Sequence, residues 1–207
     1  MIKCFLVTAT ERAWRSLRRY QEGECPGPYK TYHNAHAPIG IAERRRSSDG
    51  YYELVDPPAP NDPRLPRKCD HCDFEFTGAA YRQVFDEQIY LSDDGSEHSI
   101  RNHTPGMMWY SDYLGEWAHG PDGRSLHVVC PDGREWLIDG PCSNCGNPTD
   151  RGAFDKAHRC WVRHGTPPEI SVDKNGRTCS AGGGSIDTKH AYHGFLGTNG
   201  APPGWFT

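Results

Sequence analysis

Two Cys-x2-Cys pairs, Cys69-Asp-His-Cys72 and Cys142-Ser-Asn-Cys145-Gly146, are the residues of this 207-residue chain whose types and spacing point most directly to chemistry. Two thiolates at this spacing can share one tetrahedral zinc ion, because the intervening turn folds both sulfurs to the same side with backbone N–H groups aimed at them. Gly146 suits the tight turn after the second pair. Farther on, His158 and Cys160 stand two positions apart, so a strand would present both to one side. The candidate ligands of a structural zinc are therefore Cys69, Cys72, Cys142, Cys145, His158 and Cys160. Three groupings fit. Both pairs meet on one ion as an interrupted zinc ribbon; or Cys142, Cys145, His158 and Cys160 form a local knuckle, leaving Cys69 and Cys72 to His71, Cys130 or Cys179; or Cys69 and Cys72 join Cys145 and Cys160.

Catalytic zinc needs more than ligands. Pro141-Cys-x2-Cys matches half of the zinc deaminase signature, but upstream of residue 141 no His or Cys has Glu two positions later to shuttle the proton. The chain also lacks the His-Glu-x2-His of zinc proteases. A nuclease with a His base beside a cysteine-held metal would draw on Asp70-His71 and His158, without a recognisable motif order. Val162-Arg-His-Gly-Thr166 contains a His-Gly-Thr that dinucleotide-binding transferases use, yet Pro167 and Pro168 follow at once, and His164 reads as a strand or turn histidine. His33 with His36, and His190 with His193, lie in Gly- and Pro-rich surroundings that favour surface or packing roles. Ala181-Gly-Gly-Gly-Ser185 lacks the lysine of a phosphate loop.

Composition limits what can position these residues. Only 35% of the chain is hydrophobic, and Gly 23 with Pro 17 argue for many turns, short strands and a thin core. Six Trp, ten Tyr and seven Phe suggest that aromatic side chains supply much of the buried area. The apolar run Cys4–Ala9 is too short for a secretory signal and is followed by charged residues, and no segment is long enough to span a membrane. A reducing cytosol favours metal over disulfide for the nine cysteines. The net charge of −4 is uneven: residues 1–68 hold 12 Lys or Arg against 8 acids, and the remainder 11 against 19. Such a basic front end suits an acidic partner or nucleic acid, through Arg12, Arg15, Arg18 and Arg19.

The elements expected around these residues form an α+β fold. Ile2–Val7 reads as a strand, and Thr8-Ala-Thr-Glu11 has capping-box spacing before a predicted helix over Arg12–Tyr20, with Trp14 and Leu17 as its apolar stripe. Residues 1–55 thus form a basic strand-helix arm with an irregular segment from Gln21 to Asp49. Residues 56–68, with five prolines, read as a linker, and 69–207 as an antiparallel, Cys-rich domain with a zinc-knuckle or zinc-ribbon-like site. Ala79–Phe85 reads as a helical turn or two. Hairpins are expected at Asp93-Asp94-Gly95 and Asn175-Gly176, and a meander around Pro121-Asp-Gly-Arg124 and Pro131-Asp-Gly-Arg134.

The stretches Gly120–Gly133, His158–Ile186 and Tyr192–Leu196 resemble a group of uncharacterised proteins encoded by tailed bacteriophages, over roughly Asp49 to Leu196. The resemblance implies a phage setting, in the virion or the host cytoplasm, and no reaction. In that pattern a single Cys stands at Cys145, so Cys142 is a departure, which favours the mixed site of Cys69, Cys72, Cys145 and Cys160. The expectation is a zinc-stabilised binding or structural protein without catalytic activity, with a protein partner in the virion or host. The competing class is a zinc-supported enzyme on nucleic acid, with His71, His158 or His164 as base.

Overall fold

Period-2 alternation, not the helical repeat, governs the N-terminal segment. In the computed structural model, residues 1–43, 45–46, 52–53, 59, 61–78, 80–111, 118–142, 160–174, 184–188 and 191–207 are described. Their strands are β1 (Ile2–Lys3), β2 (Phe5–Glu22), β3 (Tyr32–Glu43), β4 (Arg45–Arg46), β5 (Tyr52–Glu53), β6 (Tyr81–Ser92), β7 (Glu97–His98), β8 (Met107–Ser111), β9 (Ser125–Val129), β10 (Glu135–Leu137), β11 (Val162–Thr166), β12 (Glu169–Asp173), β13 (Ile186–Asp187), β14 (His193–Gly194) and β15 (Trp205–Phe206). The helical content among them is 3-10 only, the turn Ile100–Asn102 and the residue Ala118. No helix among the described residues is long and apolar enough to cross a membrane.

The α+β expectation is therefore corrected to a nearly all-strand fold. The expected arm helix is the body of β2, and the expected turn at Ala79–Phe85 falls largely in β6. The reason is visible in β2 itself. Ala13 and Leu17 are its buried positions beyond Val7, and a spacing of four satisfies a helix face and a strand face alike. Thr, Trp and Tyr favour the pleated surface, and pairing with β3 from Arg12↔Glu43 to Glu22↔Tyr32 settles the choice.

The chain packs as two units, one of Ala9–Ile89 and one of Met1–Thr8 with Tyr90–Thr207. In Ala9–Ile89, β2 lies between β3 and β6. Thr10 Oγ1 donates to the Ile89 carbonyl at 2.8 Å and Gln88 Nε2 donates to the Thr10 carbonyl at 3.0 Å. One face of β2 is covered by the segment 61–78: Leu65 packs on Leu17 beside Ile39, and Thr77 donates to Gln21 Oε1. Among the described residues, the apolar cluster here is Leu17 and Leu65 with Ile39 against them. Residues 61–68 of the expected linker belong to this unit.

In the other unit β8, β9 and β10 form the expected antiparallel meander, and Phe5 and Leu6 run parallel to Met107 and Met108. Both turns are built as their sequences suggest, with Gly123 at φ 76° and Gly133 at φ 81°. All five residues of β9 are buried, because each side of the sheet meets a cluster. Met108, Leu126 and Val128 face one with Ile138, Ile170 and Phe206, while Met107, Trp109 and Val129 face another with Val7. The β6–β7 hairpin turns at Asp93-Asp94-Gly95 as expected. β12, expected to pair forward across Asn175-Gly176, pairs backward with β11 through Pro167-Pro168; residues 175–176 lie outside the described residues.

An ion network, buried at Arg163 and Asp139 and open to solvent at Asp122, ties this unit together. The Arg163 guanidinium donates to both Asp139 oxygens at 3.2 Å and to Asp122 Oδ1 at 2.8 Å and Oδ2 at 3.1 Å. Asp139 Oδ2 also accepts the Leu126 N–H at 3.0 Å, and Tyr110 donates its hydroxyl proton to Asp122 at 2.9 Å. Burial alone would raise the Asp122 carboxyl, but the hydrogen bonds from Arg163, Tyr110 and the Arg124 amide outweigh it and hold it at about 2. Removing Asp139 leaves the buried Arg163 to Asp122 alone and the Leu126 N–H without its acceptor, so Asp139→Ala should cost about 3 kcal/mol in urea unfolding. A carboxyl held below its ordinary value contributes stability above that value and loses it as pH falls toward 2. The unfolding midpoint should therefore decline with acid from about pH 4 downward, and less steeply in Asp122→Asn.

Candidate metal centre

The β2–β3 hairpin and the loop of Cys69-Asp-His-Cys72 meet at one point. β2 ends at Glu22, and the turn is closed by hydrogen bonds from Gly23 N–H to the Thr31 carbonyl and from Cys25 N–H to the Lys30 carbonyl, both 3.1 Å. Cys25 sits inside this turn, and His33 is the second residue of β3, opposite Gln21. The second arm is a miniature hairpin. Phe76 N–H donates to the Arg67 carbonyl and Cys69 N–H to the Phe74 carbonyl, both at 2.9 Å, around a bridge between Lys68 and Glu75. Asp70 docks it on β3: its N–H donates to the Asn34 carbonyl at 2.9 Å, and its Oδ2 accepts the His36 N–H at 3.0 Å.

This docking gathers Cys25, His33, Cys69 and Cys72, whose donor atoms all lie within 4.8 Å of one another. Cys25 Sγ is 3.8 Å from Cys69 Sγ, and His33 Nδ1 is 3.3 Å from Cys72 Sγ. The first three side chains are buried and Cys72 partly so. Each sulfur faces the amide two residues on: Gly27 N–H donates to Cys25 and His71 N–H to Cys69, each at 3.4 Å, and Phe74 N–H donates to Cys72. That repeated N–H···S contact is the knuckle geometry that makes Cys-x2-Cys pairs good ligands. The His33 ring is held flat against Phe74, with centroids 3.8 Å apart and planes 1° apart. Gly27 is required because a Cβ there would stand 2.6 Å from Cγ of His71.

Electrostatics single out the same place. Burial would raise the Cys69 thiol, yet the amides of His71 and Asn34, with His33 and Cys25, bring it down to about 6. Cys72 moves the other way: the Phe74 amide favours its thiolate, but burial and the neighbouring Cys69 and Cys25 sulfurs outweigh it and raise the thiol. Three sulfurs so close do not all ionise without a cation between them. The four side chains can hold a metal ion, and the soft thiolate and imidazole donors define its class.

Of the six residues expected as ligands, four are among the described residues. Cys69 and Cys72 are in the cluster, Cys145 and His158 lie outside the described residues, and Cys142 and Cys160 are buried in the apolar cluster of the other unit, as are Cys4 and Cys130. Burial pushes Cys4 and Cys130 up to about 12, so they pack as neutral thiols. Each of the three expected groupings includes Cys145, which lies outside the described residues. The partners of Cys69 and Cys72 are Cys25 and His33, and Cys25 was not among the residues picked out by spacing. The missed signal was Cys25-Pro-Gly27, a turn that supplies one sulfur and its amide donor. Among the histidines weighed as bases, His164 lies half exposed on β11, 3.2 Å from Asp173 Oδ2, and His71 contributes its amide to Cys69. No protein-family model, curated protein or solved structure matches the chain.

The four-residue cluster separates itself from the other cysteines by mutation. Cys25→Ser or His33→Ala should lower metal content and weaken affinity by at least an order of magnitude, whereas Cys130→Ala, at a buried neutral thiol, should leave metal content unchanged, measured by elemental analysis after dialysis.

Proposed function

We propose that Cys25, His33, Cys69 and Cys72 form a closed structural zinc site, and that the chain is a zinc-stabilised binding protein without catalytic activity. The observation that carries this reading is the donor set itself. Three cysteines and a histidine supply the four positions of a tetrahedral zinc ion from protein atoms, which leaves no position for a reacting water. The small apolar cluster of Ala9–Ile89 supports it, because an ion bound only on folding adds its binding free energy to a unit with little apolar burial. The resemblance of the segment from Asp49 to Leu196 to tailed-phage proteins supports a role in the virion or the infected host.

Two measurements test the zinc assignment. Cobalt(II) in place of zinc should give the intense visible bands of a tetrahedral ion with thiolate-to-metal charge transfer, and a six-coordinate spectrum with bound water would overturn a closed site. Chelation should unfold Ala9–Ile89, so amide exchange in β2 and β3 should accelerate on metal removal. Unchanged protection there would show that the ion has no structural role.

A further inference from the structure

The face of the β3–β2–β6 sheet turned away from the segment 61–78 has its own composition. Along β2, the residues alternating with Ala13 and Leu17 include Arg12, Trp14, Arg18 and Tyr20, and register places Ile41 opposite Trp14 and Tyr32 opposite Glu22. Four tyrosines form a continuous row there. Tyr81 lies 4.7 Å from Tyr20, Tyr20 6.1 Å from Tyr32, and Tyr32 4.8 Å from Tyr29, centroid to centroid. These rings are not sealed in a core. Tyr81 is 53% exposed, Ile41 46% and Tyr29 44%, and among the described residues Met1 is the one other exposed large hydrophobic. Cations border the row: the Arg18 guanidinium lies 5.5 Å from the Tyr20 ring centroid, and Lys30 sits in the turn next to Tyr29.

On the covered face Arg19 lies over Phe76 and donates to the carbonyls of Pro66 and Thr77. On the tyrosine face the Arg18 guanidinium stands by the Tyr20 ring, next to the exposed Tyr81. We infer that this face binds single-stranded nucleic acid, bases stacking on the tyrosine row and phosphates meeting Arg12, Arg18 and Lys30. Every base has a π-face, so a row of rings holds an extended strand without reading its sequence, while the cations track its backbone. The ring spacing is wider than the ~3.4 Å step of a duplex strand, which suits a splayed single strand and disfavours a paired one. The inference names the partner class of the proposed binding protein and rests on that reading.

The test uses the full chain with its bound ion and a fluorescent oligothymidylate of about 16 nucleotides, followed by anisotropy. The expected result is binding to the single strand in preference to a duplex of equal length, weakening by about ten-fold between roughly 50 and 200 mM salt. Tyr81→Ser should weaken binding about five-fold or more while Tyr81→Phe restores it, and Arg18→Ala should reduce the salt slope by about 0.7. Because Tyr81 is half exposed, metal content and thermal unfolding should stay unchanged in both Tyr81 variants. Equal affinity for polyphosphate, a silent Tyr81→Ser, or no binding at low salt would overturn the inference, the last leaving a protein as the occupant. Metal content measured on the same samples keeps the two readings apart. One zinc per chain without oligonucleotide binding removes only the nucleic-acid inference, and tyrosine-dependent binding by a folded metal-free chain removes only the zinc assignment.

Discussion

Crowding of three sulfurs and an imidazole into one buried corner is the constraint on which the unit Ala9–Ile89 depends. Among the described residues, the apolar cluster of this unit is Leu17 and Leu65 with Ile39 against them, and Ala13, Ala35, Ala80 and Ile89 are also buried in it. Thiolates this close repel one another, so the corner can gather charged sulfurs only with a cation among them. Secondary structure and docking assemble this donor set together. The hairpin turn places Cys25, the first residues of β3 place His33, and Asp70 brings the second arm to the same spot through backbone hydrogen bonds.

The unit of Met1–Thr8 and Tyr90–Thr207 meets the same shortage of apolar residues differently. Its sheet is used on both faces, so a short strand such as β9 sends Leu126 and Val128 into one cluster and Val129 into the other. Its polar anchor is a permanent one, a guanidinium fixed by two aspartates, with no ion to gain or lose. Gly120 belongs to that anchor, since a Cβ there would collide with the Arg163 guanidinium and Asp139. One unit therefore gathers soft donors in a corner that can hold a metal ion, and the other closes its apolar layers with an ion network centred on the buried Arg163.

What could be read from the residues divides along the range of the interactions. Turns written in local chemistry were legible: Asp93-Asp94-Gly95 and the two Pro-Asp-Gly-Arg turns stand where their residue types put them. Cys69 and Cys72 were legible as metal ligands for the same reason, as two residues of one turn. The helix expected over Arg12–Tyr20 failed because a four-residue apolar spacing is ambiguous, and only pairing with β3, up to 31 positions away at Arg12↔Glu43, resolves it. The other two ligands were hidden because Cys25 and His33 are joined by no short motif. They become neighbours of Cys69 and Cys72 through the register of a hairpin and the docking of a loop, neither of which spacing encodes.

The two halves of the corner are also far apart along the chain, with 35 residues between His33 and Cys69. The entropy of closing such a span grows only logarithmically, so doubling it would cost about 0.6 kcal/mol. Against a metal bond set, that is a weak penalty. A change in chain length between β3, which pairs with β2, and Leu65, which packs on Leu17, is therefore cheap while both arms keep their geometry. Homologues of this chain would be found by a turn with one cysteine, a histidine on the strand after it, and a distant paired-cysteine turn, separated by a gap of no set length.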